Sequence, residues 1–257
     1  MVASALDNKS MGFRPCVVIP VYNHAGAIGI TLERVLQCDI DVLLVDDGSD
    51  QECNEVLLEL SKKFYERVAL LVLTPNGGKG NAVKAGLKAL LADGYSHGVQ
   101  IDADGQHDIS DLPDFVAAAR DNPDALITGY PEYDESVPRL RYYSRYLTHV
   151  WVWINTLSFE IRDSMCGFRV YPLASVVQLL EQEKCGQRMD FDPEVIVRWL
   201  WRGGRVMNRP TRVDYPIDGV SHFDLWNDNV LITLMHTRLF FGMLRRLPKL
   251  LWRKMNG

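Results

Sequence analysis

Twice in the first half of the chain a short apolar run breaks off into an acidic turn. Val42-Leu43-Leu44-Val45 gives way to Asp46-Asp47-Gly48-Ser49-Asp50, and Gly98-Val99-Gln100-Ile101 to Asp102-Ala103-Asp104-Gly105-Gln106-His107. Runs of this length bounded by turn residues read as buried strands. Cys16-Val17-Val18-Ile19-Pro20-Val21 and Val68-Ala69-Leu70-Leu71-Val72-Leu73 read the same way. Between them, Ile28, Leu32, Val35 and Leu36, then Val56, Leu57, Leu60 and Phe64, recur at helical spacing. Strands alternating with helices confine the chain to an α/β fold with a largely parallel sheet covered on both faces. In such sheets ligands bind beyond the carboxyl ends of the strands, where both acidic turns stand.

The chemistry of those turns is open at this level. Two carboxylates and an amide oxygen within Asp102–His107 suit Mg²⁺ or Mn²⁺ better than zinc, and few protein ligands leave room for substrate phosphates. Asp and Gly are also ordinary turn residues. Thr74-Pro75-Asn76-Gly77-Gly78-Lys79-Gly80 precedes a helix from about Asn81 to Leu91. Its backbone N–H groups could cradle phosphate, or it could simply connect strand to helix. It is not a P-loop, and the dinucleotide fingerprint is missing after the first strand.

Past Asp102 the spacing predicts a helix over Leu112–Ala119 and a strand over Ala125–Gly129. Arg139–Phe159 carries Arg141, Ser144 and Arg145 and then Trp151, Trp153 and Phe159, aromatics that helical spacing assigns to core or interface. A helix is expected from Leu173 to Gln182. Another opens at Arg188-Met189-Asp190-Phe191-Asp192-Pro193-Glu194 and runs through Leu200, with Pro193 in its first turn and its acids near the positive end of the dipole. Arg205–Tyr215 reads as extended and Asp218–His222 as a loop.

Charge is unevenly placed. The net charge of −5 makes no case for nucleic acid, but after Asp228 there are six Lys and Arg and no acid, which leaves −11 on the rest. In that tail Phe240, Leu244, Leu247 and Leu251 share one helical face, with Arg245, Lys249 and Arg253 on another and a kink or restart expected at Pro248. Two readings stand: peripheral attachment of 229–257 to a membrane, or packing on the catalytic domain or on a partner subunit. The uncharged run Tyr146–Phe159 is shorter than the ~20 residues of a spanning helix. Met1–Arg14 lacks the apolar core of a signal peptide. Five scattered cysteines with no C-x-x-C fit reduced thiols in a cytosolic protein.

Val18-Ile19-Pro20-Val21-Tyr22-Asn23, Val45-Asp46-Asp47-Gly48-Ser49, the stretch around Gly78-Lys79-Gly80-Asn81-Ala82 and the D-x-D of Asp102-Ala103-Asp104 together resemble a family 2 glycosyltransferase of the GT-A fold. The hexapeptide Asp102–His107, Arg141-x-x-Ser144-Arg145 and Asp163–Arg169 are most similar to the dolichyl-phosphate mannose synthase branch. The resemblance implies a GT-A domain over 15–224, which leaves a tail over 1–14 and the basic amphipathic helical segment over 225–257 outside it.

By the same resemblance the chain moves a sugar, with inversion, from a UDP- or GDP-linked donor to a lipid-linked or cell-envelope acceptor at the cytoplasmic face of a membrane. Pro20, Tyr22, Asp47, Lys79 and Ala103 fall to the nucleotide sugar. Asp102, Asp104 and Gln106 fall to Mg²⁺ or Mn²⁺, which offsets charge growing on the leaving diphosphate. Arg169, with Arg141 and Arg145, supplies phosphate-matched cations, and His222 touches the diphosphate or the metal. A hydroxyl acceptor needs a general base, with Asp192 first and Glu194 and Asp190 behind it, whereas a phosphate acceptor needs none. The chain departs from the lipid-phosphate synthases at Pro216-Ile217-Asp218-Gly219-Val220-Ser221-His222, where those enzymes place an Arg ahead of Gly-x-Ser-Lys.

Two other functions compete. A nucleotidyltransferase would carry a basic glycine loop after the first strand, where this chain has Tyr22-Asn23-His24. A catalytically inactive, membrane-associated scaffold would have no need of Asp102 and Asp104.

Overall fold

The computed structural model describes residues 12–132, 139–213 and 226–256, except for the side chains of 139–144 and Asn256. Seven strands form one sheet in the order β3-β2-β1-β4-β6-β5-β7. They are β1 (Pro15–Val21), β2 (Asp41–Asp46), β3 (Val68–Val72), β4 (His97–Gln100), β5 (Ala125–Pro131), β6 (Arg169–Pro172) and β7 (Arg205–Thr211). All run parallel except β6, which lies antiparallel between β4 and β5. Alternate residues of the central strands face different helical layers. Val17, Ile19, Val42 and Leu44 join one apolar cluster, and Cys16, Val18, Leu43 and Val45 the other, so these strands are apolar throughout.

On one face lie α1 (Ala25–Leu36), α2 (Gln51–Lys63) and α4 (Leu112–Asp121), which bury Leu32, Leu57 and Phe115. On the other lie α3 (Lys79–Ala92), α5 (Arg139–Thr156), α6 (Leu173–Gln182), α7 (Phe191–Trp201) and α8 (Asn227–Asn256), which bury Leu87, Val152, Val176, Ile196 and Met235. Local chemistry sets several helix starts. Asp50 accepts from Cys53 N at 2.9 Å as the N-cap of α2, and a proline occupies the first turn of α4.

Strand β6 was not expected from sequence. Its four residues are too short a run to stand out, yet its direction decides what reaches the site. Because β6 runs backwards, its first residue, Arg169, pairs with Gln100 at the end of β4. Asp163–Phe168 are thereby delivered to the same edge as the two acidic turns. The restart expected as one outcome at Pro248 is corrected, since α8 continues through it. Pro248 is exposed, so the carbonyl it deprives of a donor lies on the solvent side of the helix.

Candidate active site

The site is centred on a lysine. Lys79, the first residue of α3, places Nζ 2.7 Å from Asp102 Oδ1, 3.0 Å from Asp102 Oδ2 and 3.0 Å from Asp192 Oδ2. Asp102 leaves the end of β4 and Asp192 begins α7, so three elements distant in sequence meet on one ammonium group. Burial alone would lower the Lys79 pKa, but the two carboxylates outweigh it and hold the value above its ordinary range. For Asp102 burial pushes upward, while Lys79 and then His107, whose Nε2 is 3.6 Å from Oδ2, drive the carboxyl well below the usual carboxylate range.

Lys79 is aimed by Asp47. The buried Asp47 carboxylate accepts from Gly77 N at 3.0 Å, Gly78 N at 2.7 Å and Asn76 Nδ2 at 3.1 Å, tying the glycine loop to the end of β2. Gly78 has φ of +94°, a left-handed conformation that lets its N–H turn onto the carboxylate. Burial raises the Asp47 pKa, partly offset by those two N–H groups. Both oxygens of this residue, which the resemblance gives to the nucleotide sugar, are thus engaged within the chain. Asp46 next to it accepts from Ser49 N at 2.9 Å and Asn54 Nδ2 at 3.0 Å.

Beneath Asp192 runs a polar network inside the core. Tyr171 Oη donates to Gln100 Oε1 at 2.9 Å, and Gln100 Nε2 donates to Asp192 Oδ1 at 3.1 Å. Both residues are fully buried. Gln100 and Tyr171 were not anticipated, although a glutamine inside the run Val99-Gln100-Ile101 is the signal that could have found them. His107 was likewise passed over despite closing the hexapeptide.

Other expected residues differ in where they point. Arg169 is corrected: it is fully buried and spends its guanidinium on the carbonyls of Cys166 (2.9 Å), Asp192 (2.7 Å) and Ser164 (2.6 Å). It positions the Asp163–Phe168 turn and the start of α7, with no donor directed to solvent. Glu194 is corrected as well. It faces away from Lys79, accepting from Arg198 Nη2 at 2.7 Å, Arg238 Nη2 at 2.6 Å and Gly186 N at 2.8 Å, and helical geometry requires this because it lies two residues beyond Asp192. Asp190 folds back to accept from Arg188 N at 3.1 Å.

Asp104 Oδ1 accepts from the backbone N of Gln106 at 3.0 Å, and Ala103 packs into the core beneath that turn. Pro20 is buried within β1, and Tyr22, just beyond the strand, is 37% exposed at the rim. Arg145 makes a bidentate pair with Asp163 at 2.7 and 2.9 Å. His222 and the Arg141 side chain lie outside the described residues.

Gly167 is fixed by proximity, since a Cβ there would land on the Asp102 carboxylate. Beside this turn, Tyr130, Pro131, Arg145, Tyr146, His149, Arg162 and Asp163 line a pocket of about 190 Å³.

Acid is expected to remove stability in two windows. Burial pushes the His236 imidazole from 6.5 down to about 4, so protonation favours the unfolded chain from about pH 6.5 downward. For Asp163 burial acts upward, but Arg145 and His149 hold its carboxyl well below the ordinary range, as Lys79 does for Asp102. Carboxylates depressed in this way contribute fully above the unfolded value of about 4 and lose that contribution as pH falls further. Urea midpoints should therefore fall between pH 6.5 and 4, then again below 4. Asp163→Asn should weaken the second fall and leave the first.

The sequence matches the family model described as glycosyl transferase family 2 over residues 16–184. It is 30% identical over 193 residues to the undecaprenyl-phosphate 4-deoxy-4-formamido-L-arabinose transferase of Edwardsiella ictaluri, covering 73% of this chain and 56% of that protein. It is 30% identical over 171 residues to the polyprenol monophosphomannose synthase of Mycolicibacterium smegmatis, covering 62% of this chain and 61% of that one. The chain thus spans little more than half the length of these two transferases. Among solved structures it overlays the mannosyltransferase of Pyrobaculum calidifontis, in complex with GDP-Man and Mn²⁺, with a TM-score of 0.58 and 16% identity, covering 91% of this chain and 64% of the other. By fold and family match, the chain is of GT-A type and belongs to glycosyl transferase family 2.

Proposed function

We propose that the chain transfers a sugar from a nucleoside-diphosphate donor to a polyprenyl-phosphate acceptor, with inversion at the anomeric carbon. The observation that carries the reading is Lys79 held between Asp102 and Asp192 at the carboxyl ends of the parallel strands. Support for the acceptor comes from the two relatives, which are named for undecaprenyl phosphate and polyprenol phosphate.

A divalent cation fits the residues present. Asp102 and Asp104 offer oxygen donors, and the buried Asp102 Oδ1 is close to Lys79 Nζ but has no aligned hydrogen-bond donor. Among the described residues no three His, Cys, Asp or Glu form a closed metal cage, so most coordination positions are left to the donor's phosphates. Held by Asp102 and Asp104, Mg²⁺ or Mn²⁺ would supply charge neutralisation for the departing diphosphate.

The chain's own residues do the rest. Lys79 provides a fixed positive charge beside the strand ends, kept charged and aimed by Asp102, Asp192 and the loop that Asp47 holds. Asp192 locks Lys79 on one side and takes orientation from Gln100 on the other. A phosphate acceptor brings its own negative oxygen and needs no proton removed, so for that acceptor Asp192 positions Lys79, whereas a hydroxyl acceptor would use it as general base. The Arg145 and Arg162 pocket beside Asp163 has the charge to receive the acceptor phosphate. The GT-A core over 15–224 carries this chemistry and the segment from 225 docks on it.

A screen of nucleotide sugars by thermal shift, followed by transfer to a polyprenyl phosphate read by mass spectrometry, tests the reading. One UDP- or GDP-sugar should raise Tm more with Mn²⁺ than with chelator, because a ligand of the folded form stabilises it. Equal stabilisation with chelator would remove Asp102 and Asp104 from the metal. Absence of any lipid-linked product would overturn the acceptor.

A further inference from the structure

Helix α8 has two apolar faces. Ile232, Met235, Leu239, Met243 and Leu250, spaced by three, four and seven residues, are buried against the domain. Val230, Leu234, Phe241, Leu244, Leu251 and Met255 follow the same spacing two positions out of step, which on an α-helix is the opposite side. These six are 43–84% exposed, and Trp252 beside them is 66% exposed. A helix docked on a globular domain normally turns polar groups outward. Here the outward face is as apolar as the inward one.

A second stripe continues the surface. On α5, Leu147, Trp151 and Ile154 lie at four- and three-residue spacing and are 60%, 38% and 39% exposed. The Trp151 ring stands edge-on to Phe240 of α8 with centroids 6.2 Å apart, so the two stripes adjoin. Exposed apolar patches of this extent mark interaction sites. A helix of this length reaches about 45 Å.

The cations sort into two groups. Arg238 pairs with Glu194 at 2.6 Å, Arg246 stacks over Trp201 at 4.6 Å, and Arg253 donates to the carbonyls of Leu200 and Trp201 at 3.2 and 3.0 Å. These three hold α8 to the domain. Arg245, Lys249 and Lys254 are exposed and, among the described residues, enter no ion pair. No acidic residue follows Asp228 to neutralise them.

We infer that the joined outward faces of α5 and α8 form a platform that lies on an anionic lipid surface. The apolar stripe enters the headgroup and acyl boundary, while Arg245, Lys249 and Lys254 meet the lipid phosphates. Among the described residues no helix is long and apolar enough to cross a membrane, so the contact is made in the plane. Two tryptophans, Trp226 and Trp252, stand exposed near the two ends of α8, where amphipathic rings favour the interface. Of the earlier alternatives, packing on the domain accounts for the inward face, and membrane attachment is what we assign to the outward one. The inference rests on these surfaces alone and holds whatever the acceptor.

The test is sedimentation of the full chain with vesicles of phosphatidylcholine alone or with a third phosphatidylglycerol, at low and high salt, alongside tryptophan emission. Wild type should pellet with the anionic vesicles, less so in high salt, and its emission should shift to the blue. Leu234→Glu/Phe241→Glu/Trp252→Glu should lower partitioning at least tenfold, and Arg245→Gln/Lys249→Gln/Lys254→Gln should lower it severalfold on anionic vesicles only. All six positions are exposed, and circular dichroism checks the fold. Wild type remaining in the supernatant would overturn the inference. So would a triple Glu variant that pellets like wild type, or one that converts a stable dimer to monomer in a protein that ignores vesicles, because the platform would then join two copies.

Discussion

Asp192→Asn is expected to lose about 10²-fold or more in kcat at a smaller cost in Tm than Glu194→Gln, since Lys79 keeps Asp102 at 2.7 Å, while Glu194→Gln should leave kcat nearly unchanged. The two carboxylates lie two residues apart at the head of α7, yet their surroundings assign them opposite work. Asp192 touches Lys79 Nζ at 3.0 Å and Gln100 Nε2 at 3.1 Å, so an amide there keeps the shape and loses the charge that fixes Lys79. Glu194 is fully buried and accepts from Arg198, Arg238 and Gly186 N.

Removing one partner from a buried ion pair typically costs 3–5 kcal/mol, and about 3 is expected for Glu194→Gln. The lower end applies because Arg198 keeps Glu183 at 2.6 Å and the Arg238 side chain is half exposed. For a domain of this size that is a fall in Tm of roughly 6–12 °C. The pH dependence of kcat then separates the two roles open to Asp192. If the acceptor is a phosphate, the profile of Asp192→Asn keeps the wild-type shape at a lower level. A limb that vanishes with the carboxylate would make Asp192 a general base, and undiminished turnover in a folded Asp192→Asn would end its part in the site altogether.

The sequence carried the frame of this site further than its contents. Strand runs such as Val42–Val45 announce themselves because buried parallel strands must be apolar on both faces, and the acidic residues after them cannot continue into the core. That much fixes where ligands go. What each charge does there is set by partners far away in sequence, and no local pattern reports them.

Arg169 illustrates this. As an arginine in a polar motif it has the chemistry to bind phosphate, but the antiparallel turn into β6 folds it under the site, where three carbonyls take its donors. Asp47, assigned by resemblance to the nucleotide sugar, spends its carboxylate on Asn76, Gly77 and Gly78, the loop that leads into Lys79. That 229–257 is an amphipathic helix was legible as periodicity, but the apolar face read there, Phe240, Leu244, Leu247 and Leu251, is divided in the fold between packed and exposed sides. That division depends on the domain surface beneath, which periodicity does not contain.

Lys79→Met should expose how much of the site is built on one charge. Without the ammonium, Asp102 and Asp192 face each other across a largely buried gap with no cation between them, and about 3–5 kcal/mol of stability should be lost at neutral pH in the presence of chelator. The loss has a diagnostic pH dependence. In wild type Lys79 is a main reason the Asp102 carboxyl sits far below its usual range, and acid works against that pair. In the variant burial is countered by His107 alone and no longer by Lys79, so the Asp102 carboxyl rises and takes up a proton more readily in the folded state than it does in wild type. Its stability deficit relative to wild type should therefore shrink as pH falls from 7 toward 4, the opposite of the trend for an intact ion pair. Divalent metal is a second handle. With the resident cation gone, Mg²⁺ or Mn²⁺ should raise the Tm of Lys79→Met by more than that of wild type, since in wild type the ammonium competes for Asp102. A variant as stable as wild type in chelator, with the same acid profile, would mean that Lys79 is a bystander and that the two aspartates are held by something else.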